Sequence, residues 1–233
     1  MTSALAARAY YELTKPRMVY ANVAVAAAAF IYGSGGAIDW GLAAVALAGL
    51  GCVIASGCAL NNYYDREMDA KMERTRMRAL AAGLMPKHHA LVAGALLLVA
   101  GLALLGLTTP AALAAAVVGW VSYVLLYTPV KHRSPHALFV GAVAGATPPV
   151  VGYAAATGTL DTTALALFIF LFVWQLPHFV AISIYRGEEY AVAGVPMFFK
   201  GPHTAQQKKV ARRVFFGSLV VLLAWCALLV VFA

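Results

Sequence analysis

The stretch NNYYDREMD occupies residues 61–69 and follows directly on an apolar run that begins at residue 40. Asn61, Asp65 and Asp69 are spaced four residues apart in it, so on a helix their side chains project from one face, one above the other. One amide oxygen and two carboxylates are hard ligands that suit Mg²⁺, an ion that usually completes its coordination with water and substrate phosphates. Because the residues that follow are rich in Lys and Arg, the stretch predicts a site for a metal-bound diphosphate.

The composition places this site in a membrane protein. Hydrophobic residues make up 63% of the 233 residues, charged residues only 11%, and the mean hydropathy is +0.81, which is far outside the range of soluble domains. Windows without Asp, Glu, Lys or Arg cover residues 18–38, 40–64, 88–130, 134–160, 162–185 and 214–233. The sequence Thr108-Thr109-Pro110 divides the 88–130 window, so we predict seven spans near the ~20 residues that a bilayer crossing needs. The predicted fold is all-α and polytopic, with seven transmembrane helices.

The distribution of charge predicts how these helices are oriented. With seven spans, the N-terminus and the segments 61–89, 131–136 and 186–213 lie on one side and carry all 17 Lys and Arg residues. The opposite loops carry only Asp39 and Asp161. By the positive-inside rule, the N-terminus and the acidic motif are cytoplasmic. The net charge of +8 therefore reflects topology and phosphate contacts, and nucleic-acid binding is disfavoured because no soluble basic domain is present.

A second acidic segment is predicted at the same membrane face. The sixth span leads into YRGEEY at residues 185–190, in which Glu188 and Glu189 are adjacent. Two acidic clusters that face each other are suited to holding two metal ions on one diphosphate. A short cationic turn at residues 127–135, with Lys131 and Arg133, lies between them in sequence.

Several motifs together resemble one family. They are the NxxxDxxxD run, the opening LTKPR at residues 13–17, the YTP turn at 127–129, PHF at 177–179, YRGEEY at 185–190 and AGVPM at 193–197. In this combination the chain resembles the UbiA-type intramembrane prenyltransferases from about residue 13 to residue 233, and the second acidic segment resembles their haem-farnesylating branch. The resemblance implies a single UbiA-type domain over residues 1–233 and a nine-helix bundle around a central cavity. Because only seven spans are predicted, we expect the chain to be C-terminally truncated.

The resemblance also implies an activity, namely Mg²⁺-dependent transfer of a farnesyl group from farnesyl diphosphate to a vinyl group of haem B. The product would be haem O with its hydroxyethylfarnesyl side chain, made in the bacterial cytoplasmic membrane. Implied partners are the two substrates, the lipid bilayer, and haem A synthase or terminal oxidase assembly factors. Prenylation of an aromatic quinone precursor and a non-catalytic haem or lipid carrier remain as alternatives. A transporter is disfavoured because the carboxylates cluster at one membrane face and not at mid-bilayer.

The candidate residues for the donor diphosphate divide into ligands and cations. The ordinary alternatives are solvated ion pairs for the acids and positive-inside topology for the cations. Catalytic roles are assigned to Asp65, Asp69 and Lys71. The metal ligands are Asn61, Asp65, Asp69, Glu188 and Glu189. The diphosphate-binding cations are Arg17, Lys71, Lys131 and Arg133, with Arg74, Arg76 and Arg78 as secondary contacts.

The acceptor and the allylic cation need other side chains. His178 follows Pro177 inside the sixth span and is a candidate haem ligand, the alternative being a hydrogen-bonded core histidine. Aromatic faces shield a cation from water, although an interfacial aromatic belt explains the same residues. The candidates for shielding are Tyr63, Tyr64, Tyr123, Tyr127 and Phe179.

Overall fold

The computed structural model describes residues 3–199 and 203–233 of the chain. Ten α-helices and one π-helical segment are formed in the described residues, and no strands. The elements are α1 (Ser3–Leu13), α2 (Pro16–Gly33), α3 (Trp40–Asp69), α4 (Lys87–Gly106), α5 (Pro110–Val121), the π-helical segment (Ser122–Tyr127), α6 (Thr128–Val130), α7 (Ala137–Thr157), α8 (Thr162–Tyr185), α9 (Gly187–Val192) and α10 (Ala205–Val231). The predicted all-helical architecture is confirmed.

Six of the helical stretches in the described residues are long and apolar enough to cross a bilayer. They are Trp40–Asp69, Lys87–Gly106, Pro110–Val130, Ala137–Thr157, Thr162–Tyr185 and Ala205–Val231. The first of the seven predicted spans also forms a helix, α2, but it has only 18 residues and contains Arg17 and Asn22. These polar residues reduce its apolar character below that of the other six, so the sequence count of seven exceeds the number that length and composition support.

Small residues allow the helices to approach each other closely. A Cβ atom added at Gly101 of α4 would lie 2.8 Å from the Gly49 carbonyl oxygen of α3. One added at Gly152 of α7 would lie 2.0 Å from the Ala26 carbonyl oxygen of α2. In a bilayer, where lipid is as apolar as leucine, this close packing holds helices together. The glycine-rich and alanine-rich spans therefore pack as one bundle.

The fourth span is not a regular α-helix. Between α5 and α6 the backbone winds as a π-helix over Ser122–Tyr127, a conformation that is often found at functional sites. The rings of Tyr123 and Tyr127 stack there, with centroids 5.6 Å apart and planes inclined by 16°. Thr128 caps the segment by donating its hydroxyl to the Tyr123 carbonyl at 2.8 Å. The π-helical segment thus directs two stacked tyrosines towards the middle of the bundle.

A cavity of about 580 Å³ lies at the centre of the bundle. Residues of α2, α3, α7, α8, α10 and the π-helical segment line it. Pro148 and Pro149 lie inside α7, and Pro177 lies inside α8. Prolines inside a span bend the helix and leave backbone carbonyls without their helical donors. The central cavity that the family resemblance implies is present.

Candidate active site

Asp65 and Asp69 lie in the last turns of α3 and form part of the cavity wall. Each is only 3% exposed, and each contacts a cation from another segment. Asp65 accepts hydrogen bonds from Lys131 Nζ and, at 3.1 Å, from His132 Nε2. Asp69 Oδ2 accepts a hydrogen bond from Arg78 Nη1 at 2.7 Å. Because a buried carboxylate is tolerated only when it is paired, these contacts offset the cost of burying both side chains.

Asn61 continues the same face one turn deeper. Its amide oxygen accepts a hydrogen bond from Lys15 Nζ, and its Nδ2 donates to Thr128 Oγ1 at 3.1 Å. Lys15 is the only non-glycine residue of the described chain with a positive φ, 51°, a backbone conformation that is unfavourable for most side chains. Burial lowers the pKa of Lys15 from its ordinary value to about 8. The turn before α2 thus brings a desolvated ammonium group to the first residue of the acidic motif.

The cavity end at this motif has an excess of positive charge. Lys15, Arg74, Arg78 and Lys131 contribute four cations to the lining, against the carboxylates of α3. Such an excess of buried or half-buried cations favours an anionic ligand with several oxygens, for which Arg and Lys are the usual partners. The polar end of the cavity is therefore suited to a diphosphate.

The remainder of the cavity wall is mainly apolar. It includes Met18, Leu50, Val53, Ile54, Trp120 and Leu222. Tyr123, Tyr127 and Phe179, three of the predicted shielding residues, lie in the same wall. An extended hydrocarbon chain fits such a wall by burial of its apolar surface.

Six other predicted residues do not line this cavity. Four of them are exposed cations that the cavity wall does not include, namely Arg17, Lys71, Arg76 and Arg133. Tyr64 is 50% exposed, and Tyr63 packs near α1 and α4 and stacks edge-on against Tyr64. Their predicted roles therefore have no support from the arrangement of the cavity.

The two glutamates of the second acidic segment lie at the rim of the cavity and not in its wall, although Tyr190 of the same segment lines it. Glu189 accepts a hydrogen bond from Arg186 at 3.0 Å and has Arg74 Nε 3.6 Å away. Glu188 is bound by Lys208 at 2.5 Å, and this hydrogen bond holds the pKa of its carboxyl below the usual value. Within residues 3–199 and 203–233, no three His, Cys, Asp or Glu side chains converge in an arrangement suited to a metal ion. Arg74, which lies beside Glu189, also lines the cavity whose wall contains Asp65 and Asp69.

His178 lies in the cavity wall and is held by α10. Its ring stacks on Trp174, with centroids 5.1 Å apart, and its Nδ1 lies 2.7 Å from Ser218 Oγ. The single hydroxyl proton of Ser218 is donated to the Phe215 carbonyl at 2.7 Å, so Ser218 Oγ can only accept from the imidazole. This assigns the proton to Nδ1, and Nε2 forms no hydrogen bond among the described residues.

Four residues of the site were not singled out by the sequence analysis. Lys15, rather than its neighbour Arg17, faces the acidic motif, and His132 contacts Asp65. Gln175 and Ser218 are ordinary polar residues of two apolar spans. For Gln175 and Ser218 the available signal was their position inside an apolar span, because polar residues there usually face the interior of a bundle.

Comparison with known proteins places this arrangement in a family. The sequence matches the UbiA prenyltransferase family over residues 22–233. It is 40% identical over 220 residues to protoheme IX farnesyltransferase 2 of Chromobacterium violaceum and 44% identical over 202 residues to protoheme IX farnesyltransferase of Marinomonas sp.. These alignments cover 93% and 86% of this chain and 73% and 68% of the relatives. The chain belongs to the UbiA prenyltransferase family, a family of membrane-embedded enzymes, which confirms the resemblance.

Solved structures agree at the level of the fold. A UbiA homologue from Archaeoglobus fulgidus, bound to GPP and Mg²⁺, superposes with a TM-score of 0.71 at 16% identity and covers 93% of this chain and 86% of that one. A digeranylgeranylglyceryl phosphate synthase superposes with a TM-score of 0.70 at 18% identity, covering 96% and 84%. The chain is thus a multi-pass membrane protein with the UbiA fold.

Proposed function

We propose that this protein transfers the farnesyl group of farnesyl diphosphate to a vinyl group of haem B and so produces haem O. The observation that carries the proposal is the cavity itself, in which a cationic end with two buried carboxylates adjoins an apolar body. This division matches an allylic diphosphate, whose head is polyanionic and whose tail is a hydrocarbon. The choice of haem as acceptor is supported by the relatives that are named protoheme IX farnesyltransferase.

The polar end fits Mg²⁺. Asp65 and Asp69 supply carboxylate oxygens and Asn61 an amide oxygen, all from one face of α3, and hard oxygens are what this ion prefers. In the structure both acids are paired with cations. When a metal-bound diphosphate binds, the metal can pair with the acids and the diphosphate with the cations. Mg²⁺, when bound there, supplies neutralisation of the charge that develops on the diphosphate as it leaves. Glu189, which lies 3.6 Å from Arg74 of the cavity wall, is proposed as a further ligand from the rim, whereas its exposed neighbour Glu188 pairs with Lys208 and is not.

The chain's own cations hold the leaving group. Lys15, Arg78 and Lys131 surround the acidic motif at short range, so they stabilise the diphosphate more strongly as its charge grows. The stacked rings of Tyr123 and Tyr127 offer π-faces to the allylic carbon and exclude water from it. The proposed role of the site is thus to bind the diphosphate, to neutralise its developing charge and to exclude water from the reacting carbon.

The acceptor is proposed to bind beside α8. The free Nε2 of His178 is a suitable ligand for haem iron, and the Nδ1 hydrogen bond to Ser218 fixes the ring for that purpose. We further propose that the chain forms a single domain in a bacterial cytoplasmic membrane, with its N-terminus and acidic segments cytoplasmic. Haem A synthase or terminal oxidase assembly factors are the proposed downstream partners.

The proposal is tested by diphosphate release from farnesyl diphosphate in nanodisc-embedded protein, with haem and Mg²⁺ present. Asp65→Asn should lower the rate by on the order of a hundredfold or more, because it removes a charged metal ligand and keeps the size of the side chain. Glu67→Gln is the matched control, since Glu67 lies on the same helix but its side chain is 82% exposed and pairs only with Arg66. Equal rates in wild type and Asp65→Asn at saturating Mg²⁺ would contradict the metal assignment.

A further inference from the structure

A glutamine side chain is buried in the middle of α8. Gln175 is 4% exposed, and its Nε2 donates hydrogen bonds to the Leu171 carbonyl at 2.8 Å and to the Ala142 carbonyl of α7 at 3.3 Å. Both amide protons are therefore used by backbone acceptors, and reversing the amide would place its oxygen against two carbonyls. The orientation of the amide is fixed, with Oε1 as the remaining polar atom.

This oxygen lies in the wall of the cavity and lacks a donor. Gln175 Oε1 occupies the space that Gly145 leaves open, since a Cβ atom at residue 145 would lie 1.9 Å from it. Gln175 and Gly145 both line the cavity, and no hydrogen bond to Oε1 is formed within the described part of the chain. Oε1 also retains a small accessible surface, so it is not fully enclosed by protein. A buried acceptor that faces a cavity and lacks a protein donor requires one from a ligand or from water.

The depth of Gln175 Oε1 in the bundle corresponds to a position beside the reacting carbon. A Cβ atom at Gly141 would lie 2.9 Å from the ring of Tyr127, and Lys131 Nζ lies 5.4 Å from the centroid of that ring. Gly145 is one turn further along α7, about 6 Å deeper in the membrane at 1.5 Å per residue. From the cytoplasm inwards, the order is Lys131 with Asp65, then Tyr127, then the oxygen of Gln175. A diphosphate at the first level puts the allylic carbon near the second and the acceptor near the third.

The reaction needs a donor at that third level. As the C1–O bond of farnesyl diphosphate breaks, its electron pair leaves with the diphosphate, and the terminal vinyl carbon of haem bonds to C1. The neighbouring carbon, attached to the porphyrin, is left with a positive charge. A water oxygen then adds to that carbon and one proton is released to solvent, which gives the hydroxyl group of the product. Without water at that position, the same cation loses a proton and an alkene results.

We propose that Gln175 Oε1 holds the water molecule that adds to this cation, by accepting one of its hydrogens and directing its lone pair at the acceptor. The inference rests on the proposed function. It assigns Gln175 a role after C–O cleavage, so the residue controls which product forms and leaves the consumption of farnesyl diphosphate nearly unchanged. Gly145 is required because any side chain there would displace the oxygen.

The test is the ratio of hydrated to dehydrated prenyl-haem, measured by mass spectrometry on membranes given farnesyl diphosphate, haem and Mg²⁺. In Gln175→Met, which has similar length and no acceptor oxygen, we expect this ratio to fall by on the order of tenfold, as for the loss of one directed hydrogen bond. The carbonyls of Leu171 and Ala142 keep their helical partners in this variant, so the fold should tolerate it. Gly145→Ala should lower the ratio as well, because its methyl group would displace Oε1.

Gly217→Ala is the control, because nothing lies within 4 Å of a Cβ atom there; it should keep the wild-type ratio. An unchanged ratio in Gln175→Met would overturn the inference, as would loss of diphosphate release in that variant, since either result removes Gln175 from the hydration step. If Gln175→Met fails to insert, Gly145→Ala decides by the same ratio. Absence of any prenyl-haem in the wild type would contradict the proposed function itself and is thus distinguishable.

Discussion

At the scale of single residues, the site is built from carboxylates that are already paired. Asp65 is shared between Lys131 and His132, and Asp69 contacts Arg78. Removing one member of a buried pair leaves the other charge uncompensated, which costs about 3–5 kcal/mol. When a diphosphate binds with its metal ion, the metal can replace the cations beside the carboxylates and the diphosphate can pair with those cations, so no charge is left unpaired. The paired state is therefore suited to both the empty and the loaded cavity.

His178 gives a prediction about the acceptor. His178→Ala should shift the absorption spectrum of bound haem, because it removes the proposed iron ligand. Ser218→Ala should weaken haem binding by about tenfold to a hundredfold, as is usual for loss of the hydrogen bond that orients such a ligand. Titration of haem into purified variants measures both effects. His88→Ala, which changes an exposed residue at the start of α4, is the control. If haem binding is identical in wild type and His178→Ala, the histidine is only a core residue.

The sequence indicated part of this residue-level arrangement. The four-residue spacing placed Asn61, Asp65 and Asp69 on one face because an α-helix has a fixed period. It did not distinguish Lys15 from Arg17, since that choice depends on the left-handed backbone at residue 15. Contacts between distant segments, such as His178 with Ser218, are set by packing and leave no local pattern.

At the scale of secondary-structure elements, close contact between helices depends on glycine. Gly101→Ala should destabilise the protein by about 1–3 kcal/mol, because the new methyl group would lie 2.8 Å from backbone atoms of α3. Gly106→Ala on the same helix should be neutral, as nothing lies within 4 Å of its Cβ position. Thermal unfolding in detergent compares the two variants. Equal loss of stability would show that the α3–α4 contact is not the cause.

The short helix α9 gives a second prediction at this scale. Glu189→Gln should weaken Mg²⁺-dependent binding of farnesyl diphosphate by about tenfold, because Glu189 is near Arg74, which lines the cavity. Glu188→Gln should have little effect, since that side chain is 71% exposed and pairs with Lys208. Equilibrium binding with and without Mg²⁺ is the measurement. Unchanged Mg²⁺-dependent binding in both variants would mean that the segment 185–190 is an ordinary surface segment.

The spans themselves could be predicted, whereas their irregularities could not. Apolar windows without charge determine where helices cross a bilayer, since backbone polar groups must be satisfied within each span. The π-helical segment at Ser122–Tyr127 differs from an α-helix by one hydrogen-bond register, and its sequence, SYVLLY, is compatible with either. Its formation depends on contacts such as that between Gly141 and the ring of Tyr127.

At the scale of the whole molecule, polarity is divided between the two ends of one cavity. The cations and acids that line the cavity lie at the end near α3 and α9, and the opposite end is closed by apolar residues of α5, α7 and α8. This division follows from the distribution of charge that the sequence shows. A transporter would instead need charged or broken helices at mid-bilayer, and the described spans carry their carboxylates at one end.

The central claim is that this cavity joins a farnesyl group to haem. The most direct measurement is the mass of the product formed by membranes that contain the protein and are given isotopically labelled farnesyl diphosphate, haem B, an aromatic quinone precursor and Mg²⁺. The account predicts label in haem with the mass of a hydroxyethylfarnesyl side chain, and no such product in membranes with Asp65→Asn. Label in the aromatic acid with haem unchanged, or haem binding without any labelled product, would contradict it.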